Sequence, residues 1–313
     1  MFDDRRVLVV LNPGSGRGRA AAAEPVVRRA LASAGAHVEL RRTGDLDDAT
    51  AWGRAAADEG WDAVLAVGGD GTATAVARGL LAAGARVPLG IVPTGTGNGL
   101  ARVLEVPMDP AKAVAALAAG RVVDLDVVEV TEPAAADGPA LALVFLGAGL
   151  DADINRVADA RSKARLGFLA YVWATLHQLP RLRAHRLTVT LDGVAHPVAA
   201  HTVSVFNAGR MVVAGVPVGP DADPHDGRLD VAVLRSPGFW RSAAAVARLV
   251  TRGGSRTLFE GATTVRIEAD PPLPVHLDGD VVGTTPLEAS VRPAVLRVLA
   301  AASYRSDRPE VSA

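Results

Sequence analysis

Cysteine is absent from the 313 residues, which excludes disulfides, thiolate zinc sites, iron–sulfur clusters and cysteine nucleophiles. Lysine is nearly absent: Lys112 and Lys163 are the only two, and the remaining basic charge is arginine. Few lysines are therefore left to clamp phosphates or form Schiff bases. No glycine is followed by lysine, so a Walker-type phosphate loop is ruled out. The seven histidines show no HxxxH or HExxH spacing, which argues against a zinc site. GxSxG is missing, and with it the elbow that would mark a serine hydrolase. Neither sign of charge dominates; a formal net charge of −1 implies no strong attraction to nucleic acid or to an anionic membrane. The most apolar run, Leu166 to Leu179, is shorter than the roughly 20 residues that span a bilayer. The strand-like run Arg6 to Leu11 begins almost at once, leaving no room for a signal peptide. A cytoplasmic protein without a transmembrane segment is expected, one that meets a membrane only peripherally, at its inner face.

What is present is a chain long enough for two domains with a buried core, at 49% hydrophobic residues. Short apolar strands are predicted at Arg6 to Leu11, His37 to Arg41, Asp62 to Val67 and Pro88 to Val92. Helical stretches are predicted over Arg19 to Ala34, Leu46 to Glu59, Thr72 to Ala83, Asn98 to Leu104 and Pro110 to Ala119. Such alternation means βαβ units and a parallel sheet with helices on both faces. Beyond residue 124 strand-like runs dominate: Val122 to Thr131, Ala140 to Leu146, Arg186 to Leu191, His201 to Asn207, Arg228 to Leu234, Thr263 to Glu268 and Leu273 to Leu277. The pairs Asp192-Gly193, Asp226-Gly227 and Asp278-Gly279 punctuate them. The expected architecture is an α/β domain over residues 1–124, a β-rich, sandwich-like domain over 125–305 and a flexible tail over 306–313. Thr131 to Pro139 reads as an exposed hairpin loop, and Ile154 to Leu179 and Phe239 to Val250 as helical interruptions. The run Ala294 to Leu299 either returns to the first domain or is the last sandwich strand.

Three glycine-rich segments each follow a predicted strand of the first domain: Asn12-Pro-Gly-Ser-Gly-Arg-Gly18, Gly68-Gly-Asp-Gly-Thr72 and Pro93-Thr-Gly-Thr-Gly-Asn98. In an open α/β sheet, ligands bind at the carboxyl ends of the strands, where such loops converge. Glycine lets backbone approach an anion, and N–H groups at a helix start point at its oxygens. Any one of these loops could be a conformational turn; three on one sheet edge favour phosphate binding. Gly14-x-Gly16-x-Gly18 falls short of the dinucleotide fingerprint.

These segments resemble the diacylglycerol kinase catalytic family, which includes bacterial lipid kinases, sphingosine kinases and ceramide kinases. Gly147-Ala-Gly-Leu-Asp151, Asp226-Gly-Arg-Leu-Asp230 and His276-Leu-Asp-Gly-Asp280 extend the resemblance over nearly the whole chain. It implies a nucleotide-binding α/β domain, a β-rich lipid-substrate domain, an active site in the cleft between them, and transfer of phosphate from ATP to a lipid hydroxyl, diacylglycerol or sphingosine-like. By resemblance, Asn12, Gly14, Ser15, Gly68, Gly69, Asp70, Gly71, Thr72, Gly95, Thr96 and Asn98 bind the nucleotide, and Asp70 helps hold a catalytic Mg²⁺. Asp278 is then the general base, with Asp280 beside it in contact with metal or nucleotide. Asp226 with the carbonyls of Asp223 and Arg228 would hold a structural Mg²⁺. Without the resemblance, Asp278-Gly279 and Asp226-Gly227 read as plain hairpin turns. Gly99 stands where many bacterial diacylglycerol kinases carry aspartate, which is closer to the sphingosine-kinase pattern, and Asp280 replaces a glutamate. The expected partner is a lipid at a membrane surface and not nucleic acid, and a homodimer stays open. The competing readings are a small-molecule kinase of the NAD-kinase type, which shares the Gly-Gly-Asp-Gly-Thr loop, and a nucleotide-binding regulator weak in catalysis.

Overall fold

Arg6–Leu11 carries apolar side chains to both faces, as a central parallel strand requires, and Val7 through Leu11 are fully buried. That strand, β1, organises the first of two units in the computed structural model. The structure describes residues 2–135, 138–149, 184–213, 216–234 and 257–305. Unit one comprises Met1–Asp126 and Ala294–Ala313, and unit two Val127–Pro293. In chain order unit one contains β1 (Arg6–Leu11), α1 (Arg19–Ser33), β2 (His37–Arg42), α2 (Leu46–Ala55), β3 (Ala63–Gly68), α3 (Asp70–Ala82), β4 (Leu89–Pro93), α4 (Gly99–Val103) and α5 (Pro110–Ala118). Its parallel sheet runs β2-β1-β3-β4.

The helices of this unit start in two different ways. α2 begins on Asp45 and α5 on Asp109, each with a side chain that accepts a backbone N–H of the first turn. Asp47 and Asp48 favour the positive end of α2, and Pro110 sits where a missing N–H costs nothing. By contrast α1, α3 and α4 begin on Gly18, Gly69 and Asn98, and none has a side-chain cap. These are the three helices that follow the glycine-rich loops. Among the described residues, the first-turn N–H groups of Gly71 and Thr72 in α3 are left open, whereas Ala20 of α1 donates to the Ser15 carbonyl and Leu100 of α4 to the Asp70 carboxylate.

Unit two continues β5 (Arg121–Ala135) and adds β6 (Gly138–Ala142), β7 (Phe145–Gly149), β8 (His185–Leu191), β9 (Val194–Ala200), β10 (Thr202–Phe206), β11 (Gly209–Val213), β12 (Val216–Ala222), β13 (Leu229–Leu234), β14 (Thr257–Ala262), β15 (Thr264–Asp270), β16 (Pro274–Leu277), β17 (Asp280–Thr284) and the first half of β18 (Leu287–Ala300). One sheet is antiparallel with order β14-β13-β10-β7-β16-β17. In the other, β18, β15, β8 and β9 are neighbours in that order, while β6 pairs with β5. Alternation makes the sandwich: Leu187, Val189 and Leu191 of β8 turn inward. They share one core with Leu146 and Ala148 of β7, Val203 and Val205 of β10, and Val275 of β16. The second half of β18 belongs to unit one, where Val298 pairs parallel with Leu89 of β4. At the changeover Ala294 takes a left-handed backbone, φ 53, and its N–H donates to the buried Asp126 carboxylate at 2.7 Å.

Three departures from the sequence reading have physical causes. The predicted strand Ala140 to Leu146 is broken into β6 and β7, because the N–H groups of Leu143, Val144 and Phe145 turn out of the ladder to a side chain described below. The loop expected over Thr131 to Pro139 is mostly strand, since β5 runs to Ala135 and β6 resumes at Gly138. β9 contains Pro197, which a central strand does not tolerate, but β9 is an edge strand. The helices expected over Ile154 to Leu179 and Phe239 to Val250, the Leu150-Asp151 end of one motif and the tail 306–313 lie outside the described residues.

The turn at Asp192-Gly193 is clamped. Its carboxylate accepts the backbone N–H and the hydroxyl of both Thr263 and Thr264. The Thr263 hydroxyl first, then the Thr264 amide, hold the Asp192 carboxyl below its ordinary value. A depressed folded-state value means stability that is present above the unfolded value, about 3.9, and lost as pH falls through the folded one. Asp192→Ala should therefore lower the melting temperature at pH 7. The gap to the parent should narrow below about pH 4. A gap independent of pH would show that the carboxylate charge is not what holds the turn.

Candidate active site

The second loop shows why glycine is required here. A Cβ on Gly68 would collide with the Thr72 side chain. Thr94 and Gly95 both donate their N–H to the Gly68 carbonyl, at 2.8 and 3.2 Å, which binds the third loop to the second. Gly69 and Gly95 meet backbone to backbone; a Cβ on Gly95 would stand 2.5 Å from the Cα of Gly69. The first loop joins them. Asn12 donates from Nδ2 to the Thr72 hydroxyl at 3.2 Å, and its Oδ1 accepts the Gly14 N–H at 3.1 Å. Gly16 has φ 59, and a side chain there would run into the Thr94 carbonyl. The Ser15 hydroxyl points toward Gly69, at 3.7 Å from where a Cβ would stand.

The three loops therefore form one cluster within unit one, and they bring together Asn12, Gly14, Ser15, Gly68, Gly69, Asp70, Gly71, Thr72, Gly95, Thr96 and Asn98. Among the described residues, the N–H groups of Gly71, Thr72, Thr96 and Gly97 have no protein acceptor. Gly71 and Thr72 lie in the first turn of α3, a 13-residue helix whose macrodipole adds positive potential there. Open donors at a helix start beside glycine backbone make an anion site.

Asp70 does not face outward from this cluster. Its Oδ1 accepts the Leu100 N–H at 3.2 Å, and the N–H groups of Gly99 and Asn98 also bear on it. Burial pushes its carboxyl above the ordinary value, against the pull of those backbone donors. Asp70 thus ties the start of α3 to the start of α4. Gly99 contributes only backbone to this contact. A hard cation needs oxygen ligands. Among the described residues, no three His, Asp or Glu converge as a cage. A magnesium ion carried by phosphates would fit a site with few protein ligands, and Asp70 is the carboxylate this cluster could offer it.

In unit two, Asp278 and Gly279 make a two-residue turn between β16 and β17, with φ 48 and 99. Left-handed backbone at both turn positions is the hairpin signature that Asp-Gly supports. The Asp278 carboxylate sits in a nest of three N–H groups: Leu143 on Oδ2 at 2.8 Å, and Val144 and Phe145 on Oδ1 at 2.9 and 3.0 Å. Its own N–H donates to the Phe145 carbonyl at 2.9 Å. The orientation of this carboxylate is therefore fixed by backbone. Asp280, two residues on, is exposed. His276 is fully buried and meets the Phe145 ring edge-on at 5.1 Å, as a core residue does.

The loop between β12 and β13 holds Asp223, Asp226 and Arg228 together, but largely through its own bonds. Asp223 accepts the His225 N–H at 3.0 Å, and Asp226 Oδ1 accepts the Arg228 N–H at 2.8 Å. The Asp223 carbonyl takes a long bond, 3.4 Å, from the Asp226 N–H. The Arg228 guanidinium reaches the Gly261 carbonyl. A cation here would draw on the second oxygen of Asp226, two carbonyls and water.

Comparison with known proteins fits both units. Residues 6–130 match the model of the diacylglycerol kinase catalytic domain, and residues 144–300 that of the YegS C-terminal NAD kinase β-sandwich-like domain. A diacylglycerol kinase of Mycobacterium tuberculosis is 33% identical over 310 residues, covering 94% of each chain. The chain belongs to the diacylglycerol kinase family. Another relative in that family, the diacylglycerol kinase of Bacillus subtilis, is 27% identical, over 91% of this chain and 92% of its own. The crystal structure of a diacylglycerol kinase from Bacillus anthracis shares the fold, with a TM-score of 0.74 at 24% identity, over 95% of this chain and 97% of that one. Membership makes the chain a kinase-family protein built on this two-domain plan.

Two residues of the loop cluster escaped the sequence reading. Thr43 follows β2 on the same edge, and its N–H donates to the Leu11 carbonyl at 2.8 Å. Its hydroxyl is buried with no hydrogen-bond partner among the described residues. The signal was available, since Thr43-Gly44 ends a predicted strand as the other loops do, but one glycine did not stand out. The second is Arg19, taken up below.

Proposed function

We propose that this protein transfers the γ-phosphate of ATP to a lipid hydroxyl, that of a diacylglycerol or a sphingosine-like acceptor. One observation carries the proposal: the three loops close on one another and leave the N–H groups of Gly71, Thr72, Thr96 and Gly97 open on one cluster. Family membership supports a phosphoryl donor for that cluster. Phosphoryl transfer asks mainly for positioning and charge neutralisation. The open N–H groups receive phosphate oxygens, and Asn12, Ser15 and Thr96 add side-chain hydrogen bonds. Asp70 would help hold a Mg²⁺ ion, which when bound would neutralise phosphate charge. Asp278 takes the proton of the attacking hydroxyl. Three backbone N–H donors hold this carboxylate and fix the direction in which it meets the hydroxyl. Asp280 provides a second carboxylate from the same hairpin. The lipid acceptor puts the protein at a membrane surface, and no described helix is long and apolar enough to cross one.

Incubation with labelled ATP, Mg²⁺ and a panel of diacylglycerol, sphingosine, ceramide, undecaprenol and NAD tests this. Label on a lipid is the expected result. Residues 144–300 match a NAD kinase β-sandwich-like domain, and label in NADP alone would replace the lipid reading with that one. No transfer to any acceptor despite ATP binding would make the protein a regulator.

Thr43 supplies a sharper test of the nucleotide site. Thr43→Val keeps the shape and removes a buried hydroxyl that has no partner among the described residues. Stability should be unchanged or slightly raised, because an unpaired buried polar group costs free energy. ATP affinity should fall about tenfold if that hydroxyl meets the nucleotide. Loss of stability with unchanged ATP affinity would assign Thr43 to the fold alone.

A further inference from the structure

Arg19 opens α1, directly after the first loop, and its guanidinium holds two carbonyls of different loops. Nε donates to the Gly16 carbonyl at 3.1 Å, and Nη2 to the Gly95 carbonyl at 2.7 Å. The Gly95 carbonyl also accepts Asn98 Nδ2 at 2.9 Å, so two donors fix its direction. A peptide unit is planar and trans, so the N–H on its far side points opposite to the carbonyl. Holding the Gly95 carbonyl on the guanidinium therefore turns the Thr96 N–H the other way. That N–H is one of the four open donors of the cluster. Arg102 acts similarly on the next turn of the loop, donating from Nε to the Gly97 carbonyl at 3.2 Å.

We propose that Arg19 is a positioning residue for the nucleotide phosphates: it locks the first loop to the third and aims the Thr96 N–H into the anion site. This rests on the reading of the loop cluster as the ATP site. Two features make arginine the residue for this task. Its planar fork has donors in fixed directions and can span two acceptors at once, which the point-like ammonium of lysine cannot reproduce. The guanidinium also places a delocalised positive charge beside the loops. The chain places no lysine in these loops; one of its two, Lys112, is on α5 and the other, Lys163, lies far along the sequence.

The test compares Arg19→Ala, Arg19→Lys and the parent by ATP titration, by steady-state kinetics and by thermal melting. Arg19→Ala should raise the KM for ATP about 10- to 100-fold, as expected for losing two charge-assisted hydrogen bonds. The KM for the lipid acceptor should stay within about twofold. Arg19→Lys should behave like the alanine variant, because charge without the fork does not bridge the carbonyls. Added guanidinium should restore ATP binding to Arg19→Ala and leave Arg19→Lys unimproved. Amide hydrogen exchange over residues 94–98 should be faster in both variants without nucleotide. Parent-like ATP binding in the alanine variant would overturn the proposal. So would full function in the lysine variant, which would reduce the role to charge. If alanine prevents folding, the lysine variant and its exchange rates decide alone. A parent protein that binds no ATP would end the nucleotide reading itself, whereas ATP binding by the parent with no effect of Arg19 would end only this inference.

Discussion

Replacing Gly95 by alanine should lower phosphoryl transfer more than about 100-fold, on the scale that a shift of about 1 Å in a catalytic frame produces. The added Cβ would stand 2.5 Å from the Gly69 Cα and 2.8 Å from Asn98 Oδ1. Neither neighbour can swing away as a long side chain does. Gly69 is backbone at the start of α3, and Asn98 is buried with its amide bound to the Gly95 carbonyl. The second and third loops must therefore separate, which stretches the Thr94 and Gly95 bonds to the Gly68 carbonyl and displaces the open donors together. Most of unit one's core is remote from this contact, so cooperative melting should survive. Gly97→Ala offers a milder comparison, because its Cβ would meet only Asp70 Oδ2, at 3.0 Å. Nucleotide titration of both variants, with melting curves, checks the ranking. Equal activity of Gly95→Ala and the parent would mean that the loop contact does not set the site.

Asp278→Asn should abolish detectable transfer and also weaken the fold. Loss of a general base costs about 10²- to 10⁴-fold. The structural effect is separate. One carboxylate oxygen becomes an NH₂ group, and the nest offers only donors: Leu143 on one side, Val144 and Phe145 on the other. With the amide oxygen turned to Val144 and Phe145, the NH₂ faces the Leu143 N–H, donor against donor. An unmet buried donor costs about 1–3 kcal/mol, which should lower the melting temperature by several degrees. Activity of Asp278→Asn alone therefore cannot separate chemistry from packing. Asp280→Asn can, because Asp280 is exposed and its substitution should leave stability within about 0.5 kcal/mol. Loss of turnover in both, with melting changed only in Asp278→Asn, is the expected pattern. An active, destabilised Asp278→Asn would assign that carboxylate to holding the hairpin and remove it from proton transfer.

How much of this was legible in the sequence follows from where the determining contacts lie. Unit one was readable because β1, β3 and β4 are buried on both faces and appear as apolar runs, such as Arg6 to Leu11, each leading into a glycine-rich loop. Its loops were readable because glycine there answers a local demand: Gly68 against Thr72, four residues away, and the helix starts at Gly18 and Gly69. The sandwich was readable in outline through alternation in strands such as β8. Its edges were not. β17 is exposed along nearly its whole length and shows no inward face, and β9 hides behind Pro197. Least legible were contacts between distant residues. The nest around Asp278 is built by backbone more than 130 positions earlier in the chain, and backbone donors leave no mark on residue type. The inward turn of Asp70 toward Leu100 and the bridging by Arg19 are of the same kind: residue identity announced a charged side chain, and only the folded loops decide its partner.

The central claim is that the loop cluster recognises phosphate. Calorimetric titration of the parent protein with ATP and with adenosine, each in the presence of Mg²⁺, tests it most directly. The expected result is measurable ATP binding with adenosine weaker by about 100-fold or more, as the loss of several charge-assisted hydrogen bonds implies. Equal affinities for ATP and adenosine would contradict it.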